Sequence, residues 1–110
     1  ADPAADFGVN LKGTFALLEA LRARGEPVPL VFASTNKVYG DLADIPLSLK
    51  GDAWLPADDQ VRRRGIGEDR PLDFHTPYGC SKGAADQYVV DYARSFGLPA
   101  TVLRMSCIYG

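Results

Sequence analysis

The sequence contains few of the residues that build metal centres and disulfide frameworks. Its 110 residues include two cysteines, Cys80 and Cys107, and one histidine. Two cysteines are too few for a disulfide scaffold, and together with one histidine they do not supply the four ligands of a typical zinc site. We therefore predict no bound metal and a reducing location such as the cytoplasm. Both cysteines are expected to be small core residues without a reactive role.

The sequence also lacks a strong charge of either sign and any long apolar run. Its 12 basic and 14 acidic residues give a net charge of -2, which provides no electrostatic reason for binding nucleic acid. No apolar stretch approaches the roughly 20 residues that cross a bilayer, and no signal-peptide pattern opens the sequence. The hydrophobic fraction of 46% is typical of a globular protein. We expect neither a nucleic-acid nor a membrane partner.

The first segment has the pattern of an amphipathic helix. Apolar residues recur on one stripe at three- and four-residue multiples, namely Phe7, Leu11, Leu18 and Leu21. Asp2 followed by Pro3 is typical of an N-cap and first helical position, and Gly25 is a typical stop. Because a glycine inside a helix costs about 1 kcal/mol relative to alanine, we expect Gly8 and Gly13 to permit close approach of another backbone.

Two short apolar runs are predicted to form parallel strands. Residues 29–33 (PLVFA) show no alternation, so we expect both faces of this strand to be covered, as in a parallel sheet between helices. Residues 101–105 (TVLRM) follow a predicted helix over 78–96, which Gly97 and Pro99 are expected to end. Residues 41–77 predict a long irregular loop that forms a lid or a substrate-specific wall. The order helix, strand, long loop, helix, strand predicts an α/β fold with a parallel βαβ unit.

Polar residues end the first strand, and a Y-x-x-x-K pair opens the second helix. Tyr78 and Lys82 are four residues apart, so a helix places them on one face. A phenol has a reference pKa of about 10, and a neighbouring ammonium lowers that pKa. The Thr35 hydroxyl can donate and accept, so it can orient a substrate oxygen beside Tyr78. The Tyr–Lys pair alone equally fits a chance spacing, and Thr35 alone equally fits a turn cap. Together the three residues indicate a site for proton transfer.

Three other patterns match known motifs by their letters but not by their context. Residues 79–83 match G-x-S-x-G, yet no strand precedes them, and the only histidine, His75, comes before the serine. Residues 65–67 begin like G-x-G-x-x-G, again without a preceding strand. The basic run 62–64 is predicted to be a solvated loop face, although an arginine there can reach a diphosphate through bidentate hydrogen bonds.

Several stretches resemble the extended short-chain dehydrogenases/reductases, in the NAD-dependent epimerase/dehydratase group of sugar-nucleotide enzymes. They are VNLKGT (9–14), LLEA (17–20), STNKVYGD (34–41), YGCSK (78–82), and LR with YG within 103–110. Since they span nearly the whole sequence in the expected order, they are far more specific than the Tyr–Lys pair. The resemblance implies a partial Rossmann-like, doubly wound parallel sheet with bound NAD.

The resemblance also implies roles for individual residues. The implied catalytic residues are Thr35, Tyr78 and Lys82. The implied cofactor-binding residues are Ala33, Ser34, Tyr78 and Lys82, with Lys82 bonded to the nicotinamide ribose. The implied substrate-binding residues are Asn36 and Cys107. Cys107 stands where the family often has an asparagine that contacts substrate.

The two residues after Thr35 bear on the type of reaction. Sugar-nucleotide dehydratases resemble this sequence but have Asp-Glu where it has Asn36 and Lys37. Elimination of water needs an acid and a base, whereas Asn36 transfers no proton and Lys37 has the wrong charge for a glutamate's role. Dehydration is therefore disfavoured, and the resemblance implies a nucleotide-sugar epimerase that oxidises and re-reduces one carbon. The alternatives are a 4-epimerase, a reductase, a non-catalytic nucleotide-binding relative, and a hydrolase that uses Ser81.

Residues 1–110 are expected to be an internal fragment of a single NAD-binding Rossmann domain. The family's N-terminal glycine-rich loop and C-terminal substrate region are missing from the sequence. Two strands and two helices leave sheet edges and apolar faces uncovered, so we expect this piece alone to be poorly stable and to bind NAD weakly or not at all. In the full-length protein we expect a homo-oligomer that acts on a nucleotide sugar.

Overall fold

The computed structural model describes residues 2–108, which form two small sheets flanked by helices. The helical segments are α1 (Pro3–Asp6), a π-helical segment (Phe7–Lys12), α2 (Gly13–Ala23), a 3-10 helix (Asn36–Tyr39), α3 (Asp59–Arg64) and α4 (Thr76–Phe96). The strands are β1 (Leu30–Thr35), β2 (Leu47–Lys50), β3 (Ala53–Pro56) and β4 (Ala100–Met105). None of the helices within 2–108 is both long enough and apolar enough to cross a bilayer.

The N-terminal helix begins where the sequence predicts it. Asp2 Oδ1 accepts hydrogen bonds from two backbone N–H groups of the first turn at 3.0 and 3.2 Å, which confirms the N-cap. The helix then widens over residues 7–12, where the Gly13 N–H bonds to the Gly8 carbonyl. The expected backbone approach at these glycines is wrong, since a Cβ on Gly8 meets nothing within 4 Å and one on Gly13 meets only the Gly8 oxygen at 3.6 Å.

The strands β1 and β4 are parallel neighbours, as the sequence predicts. Their register runs without a gap from Leu30 opposite Ala100 to Thr35 opposite Met105. The helix α4 connects to β4 through Gly97, whose φ of +68° gives the left-handed conformation predicted for a helix stop. The βαβ unit therefore has the predicted order, with the carboxyl ends of both strands at one edge.

Helices cover one face of this sheet within the described residues. A buried hydrophobic cluster contains Leu18, Val89 and Tyr92, and the partly buried residues packed on it are Leu30, Phe32, Leu98, Ala100 and Val102. On the other face, Val31 is 67% exposed and Leu103 is 45% exposed. The expectation that β1 is covered on both faces is not met among residues 2–108, because burial alternates over residues 30–33 although the hydropathy there does not.

Residues 41–77 are not the irregular loop that the sequence predicts. Strands β2 and β3 form an antiparallel hairpin with Leu47 opposite Pro56, and the Asp58 side chain caps α3 by accepting from two backbone N–H groups. These strands have four residues each. A hydropathy pattern of that length is too short to distinguish a strand from a loop.

Candidate active site

Thr35 lies at the carboxyl end of β1 and is buried. Its Oγ1 accepts a hydrogen bond from the Lys37 N–H at 3.2 Å and so caps the 3-10 helix, which is the alternative role that the sequence left open. This bond uses the hydroxyl as an acceptor. As a donor, the Thr35 hydroxyl has only a long contact of 3.5 Å with Asn36 Oδ1. Thr35 can therefore cap the turn and still donate to a substrate oxygen.

Tyr78 and Lys82 lie one turn apart in α4, as the sequence predicts. Tyr78 is 42% exposed, so its phenol is accessible to a ligand. The Lys82 Nζ donates to the Ala33 carbonyl oxygen and lies 4.6 Å from the centre of the Phe32 ring. Burial lowers the pKa of Lys82, and the negative charge of Asp86 opposes that shift. The ammonium is thus held against β1 on the helix face that carries Tyr78.

Ala33 and Ser34 are adjacent in β1, so their side chains lie on opposite faces of the sheet. Ala33 is exposed on the uncovered face of the sheet. The Ser34 side chain is buried, and its Oγ donates to Asp86 Oδ2 at 2.6 Å. Since this hydroxyl already has an internal partner, Ser34 offers a ligand its main chain rather than its side chain.

Asn36 and Cys107 follow the ends of neighbouring strands. Asn36 comes directly after Thr35, and Cys107 lies two residues beyond Met105, which is the partner of Thr35 in the register. Both residues are exposed. The structure thus brings the two predicted substrate-binding residues to one edge of the sheet. The expectation that the cysteines are core residues is wrong, because Cys107 and Cys80 are both exposed, free thiols.

A cleft of about 210 Å³ lies beside Tyr78. Its lining residues are Lys37, Gly40, Asp41, His75, Thr76 and Tyr78. The His75 ring nitrogens lie 3.2 Å from Asp41 Oδ2 and 3.1 Å from Asp73 Oδ2. The sequence predicts His75 only as a loop residue, and its distance of three positions from Tyr78 is the one signal that it could reach substrate. The structure places its imidazole in the cleft of the candidate site.

An ion pair that sequence reasoning missed lies beneath these residues. Asp86 is fully buried and accepts two hydrogen bonds from Arg104, from Nε at 3.0 Å and from Nη2 at 2.9 Å. Arg104 also donates to the Tyr39 hydroxyl at 2.9 Å. Burial raises the pKa of Asp86, but hydrogen bonds from Arg104, Ser34 and Gln87 outweigh burial and hold that pKa below its usual range. The sequence motif includes Arg104 but predicts no partner for it.

The structure shows where two of the motif-like patterns, residues 79–83 and 62–64, lie in the fold. Residues 79–83 lie inside α4 rather than in a strand-to-helix turn, and Ser81 is buried, donating to the Tyr78 carbonyl at 2.9 Å. A serine in this position does not form a nucleophile elbow. The arginines 62–64 form the exposed last turn of α3. Within the part of the chain that the structure describes, no group of three metal-ligating side chains is found.

Residues 1–110 match the NAD dependent epimerase/dehydratase family. The chain is 47% identical over 109 residues to CDP-paratose 2-epimerase of Salmonella typhi, covering 99% of this chain and 31% of the relative. It is 37% identical over 101 residues to dTDP-glucose 4,6-dehydratase of Mycobacterium tuberculosis, covering 92% of this chain and 25% of the relative. The chain therefore belongs to this family, and it spans less than a third of the length of these curated relatives.

Solved structures of this family have the same fold. The dTDP-glucose 4,6-dehydratase of Bacillus anthracis with NAD aligns with a TM-score of 0.71 at 30% identity, over 100% of this chain and 29% of that one. The Thermus thermophilus UDP-glucose 4-epimerase with NAD aligns with a TM-score of 0.66 at 36% identity, over 94% and 27%. The Rossmann-like α/β fold is confirmed, and the family's dependence on NAD agrees with the predicted cofactor.

Proposed function

We propose that the protein containing this chain is an isomerase, an NAD-dependent nucleotide-sugar epimerase that acts through transient oxidation to a keto sugar. One arrangement carries the proposal. The Lys82 ammonium donates to the Ala33 carbonyl, two residues before Thr35 in β1, and Lys82 lies one helical turn from the exposed Tyr78. The activity we propose is that of a CDP-paratose 2-epimerase, which the 47% identity to the Salmonella typhi enzyme supports.

The residues at this edge fit the ribose and nicotinamide end of NAD. An ammonium has three N–H donors, and the Ala33 carbonyl uses one of those on Lys82, which leaves two for ribose hydroxyls. Ala33 is exposed, and so is Tyr78, which lies on the same face of α4 as Lys82. We assign cofactor binding to Lys82, Tyr78, Ala33 and the Ser34 main chain. Bound NAD supplies the acceptor and later the donor of a hydride.

The chain's own side chains account for the movement of the proton. We assign Tyr78 as the base, whose phenolate takes the proton of the sugar C2 hydroxyl when that carbon is oxidised. Thr35 donates a hydrogen bond to the same oxygen and keeps it within reach of the phenol. Tyr78 gives the proton back when the carbon is reduced from its other face. No net acid, base or oxidant is consumed in the cycle.

Exposed Asn36 and Lys37 support epimerisation over dehydration, since neither can serve as the carboxylic acid that loss of water requires. The main alternative is another nucleotide-sugar epimerase such as a 4-epimerase, or a reductase. The 36% identity to the Thermus thermophilus UDP-glucose 4-epimerase favours the former. A non-catalytic nucleotide-binding relative is the third alternative, and the presence of all three catalytic side chains counts against it.

The described residues provide only part of a binding site for a nucleotide sugar. The cleft beside Tyr78 holds about 210 Å³, below the roughly 300–1,000 Å³ of typical small-molecule sites. We propose that residues 1–110 are an internal part of one Rossmann domain. The glycine-rich loop and the nucleotide-binding contacts would lie elsewhere in the protein, which we propose is a cytoplasmic homo-oligomer.

The test is Tyr78→Phe in the full-length protein. We expect it to abolish turnover of CDP-paratose while the protein retains NAD, because the ring remains and only the proton carrier is lost. Turnover is followed by nuclear magnetic resonance of the sugar, and NAD is measured after it is released from denatured protein. UDP-glucose, assayed in parallel, distinguishes the 4-epimerase alternative.

Tyr88→Phe is the matched control. Tyr88 lies on the same helix and is similarly exposed at 44%, but it packs on Phe15 rather than lining the cleft. We expect this control to retain turnover. Unchanged turnover in Tyr78→Phe would contradict the assignment of Tyr78 as the proton carrier.

A further inference from the structure

Side-chain hydrogen bonds anchor the segment that carries Thr35 on both sides of that residue. Before Thr35, the Ala33 carbonyl accepts from Lys82 and the Ser34 hydroxyl donates to Asp86. After it, the Tyr39 hydroxyl accepts from Arg104 at 2.9 Å. The side chains of Ser34 and Tyr39, on either side of Thr35, therefore both bind the ion pair of Asp86 and Arg104.

The ion pair joins the three elements on which the site is built. Asp86 belongs to α4, one turn beyond Lys82, and Arg104 belongs to β4. Their bidentate contact fixes the helix to the sheet in direction as well as distance, since both carboxylate oxygens and two guanidinium nitrogens take part. The helix face that carries Tyr78 and Lys82 is thereby held relative to the end of β1.

Stability alone is a weak explanation for this pair. Removing two charges from water costs several kcal/mol, and buried ion pairs can often be replaced by apolar residues without loss of stability. Asp86 is 0% exposed, and Ser34 is 5% exposed. What an apolar replacement does not reproduce is the set of directed hydrogen bonds to the residues on either side of Thr35.

We propose that Asp86 and Arg104 are positioning residues that set the placement of Thr35 relative to Tyr78 and Lys82. The proposal rests on the proposed function, because it assigns a consequence to the geometry of that site. Neither residue is expected to touch substrate. Loss of the pair should lower kcat with little change in KM, since a displaced hydroxyl or phenol weakens the transition state more than the bound ground state.

The experiment compares variants of the full-length protein below their melting temperatures. The double variant Asp86→Leu, Arg104→Met removes both charges together, so neither is left buried and unpaired. We expect it to fold with a Tm within about 5 °C of the wild type and to lose about 100-fold in kcat, the cost of a displacement of roughly 1 Å. A folded double variant whose kcat stays within about threefold of the wild type would overturn the proposal.

Tyr39→Phe keeps the proposal testable if the double variant does not fold. It removes only the hydroxyl that Arg104 binds and keeps the ring, which lies 5.3 Å from the guanidinium carbon. We expect about a fivefold loss of kcat, comparable to one hydrogen bond, with KM nearly unchanged. An unchanged kcat in this variant would contradict anchoring through Arg104.

The matched control is Asp91→Asn, an exposed aspartate on the same helix that accepts a hydrogen bond from Ser95 at 3.2 Å. We expect its kcat to remain within about twofold of the wild type, as for most surface substitutions. Hydrogen exchange of residues 33–39 provides a readout independent of activity. Faster exchange there in the folded double variant supports the anchoring, and unchanged exchange contradicts it. A wild-type protein without epimerase activity would contradict the proposed function instead.

Discussion

The packed core of α2, β1, α4 and β4 and the hairpin segment 41–71 are stabilised in different ways. In the first, residues far apart in sequence meet in buried contacts, such as Ser34 with Asp86 and Leu18 with Val89. In the second, a local turn, a capped short helix and an exposed ion pair of Arg70 with Asp44 suffice, while Trp54 remains 66% exposed. Because local stability follows buried contacts, the site is expected to be rigid and the hairpin segment to open more readily.

Truncating a core side chain should give the largest loss in the free energy of unfolding, and it tests the contrast between the core and the hairpin segment. Leu18 is fully buried against Val89 and Tyr92, whereas Leu49 in β2 is 58% exposed. In the full-length protein we expect Leu18→Ala to lower the free energy of unfolding by about 2–5 kcal/mol. We expect Leu49→Ala to change it by no more than about 0.5 kcal/mol. Denaturant titration measures both, and comparable losses would show that the hairpin segment is as tightly integrated as the core.

Two glycine-to-alanine substitutions, with the next largest expected effect, test how closely α4 packs against the segment before it. A Cβ on Gly83 would overlap the Phe74 ring, so Gly83→Ala forces the ring to move. We expect a loss of about 1–3 kcal/mol in the free energy of unfolding. Gly8→Ala is the control, since its Cβ meets nothing within 4 Å and alanine favours a helix. Equal effects of the two substitutions would contradict the close packing of α4 against the segment before it.

The smallest expected effect is a change in how stability declines at acidic pH. Hydrogen bonds from Arg22 and Tyr92 lower the pKa of Glu19 to about 2. A carboxyl with a lowered folded pKa contributes stability above its unfolded pKa of about 4.3 and loses it as pH falls through the folded value. We therefore expect stability to decline between about pH 4.5 and pH 2, and to decline less steeply in Glu19→Gln. Melting temperatures over this range measure the difference, and identical slopes would contradict the contribution of Glu19.

Prediction from sequence succeeded where the signal was local or repeated. The cap at Asp2, the stop at Gly97 and the parallel strands were correct because each depends on a few neighbouring residues or on a continuous apolar run. It failed for the hairpin, whose strands are too short to show a pattern. It also failed for Cys80, whose apolar character does not determine which side of α4 faces the core.

The sequence by itself determined the order of the N-terminal helix, β1, α4 and β4, the shared helix face of Tyr78 and Lys82, and the family to which the chain belongs. The tertiary structure alone decided which groups surround them. Lys82 reaches across 49 positions to the Ala33 carbonyl, and Asp86 across 52 positions to Ser34. Helical periodicity fixes the relation between residues three or four apart, whereas contacts between distant residues depend on how the helix packs against the sheet.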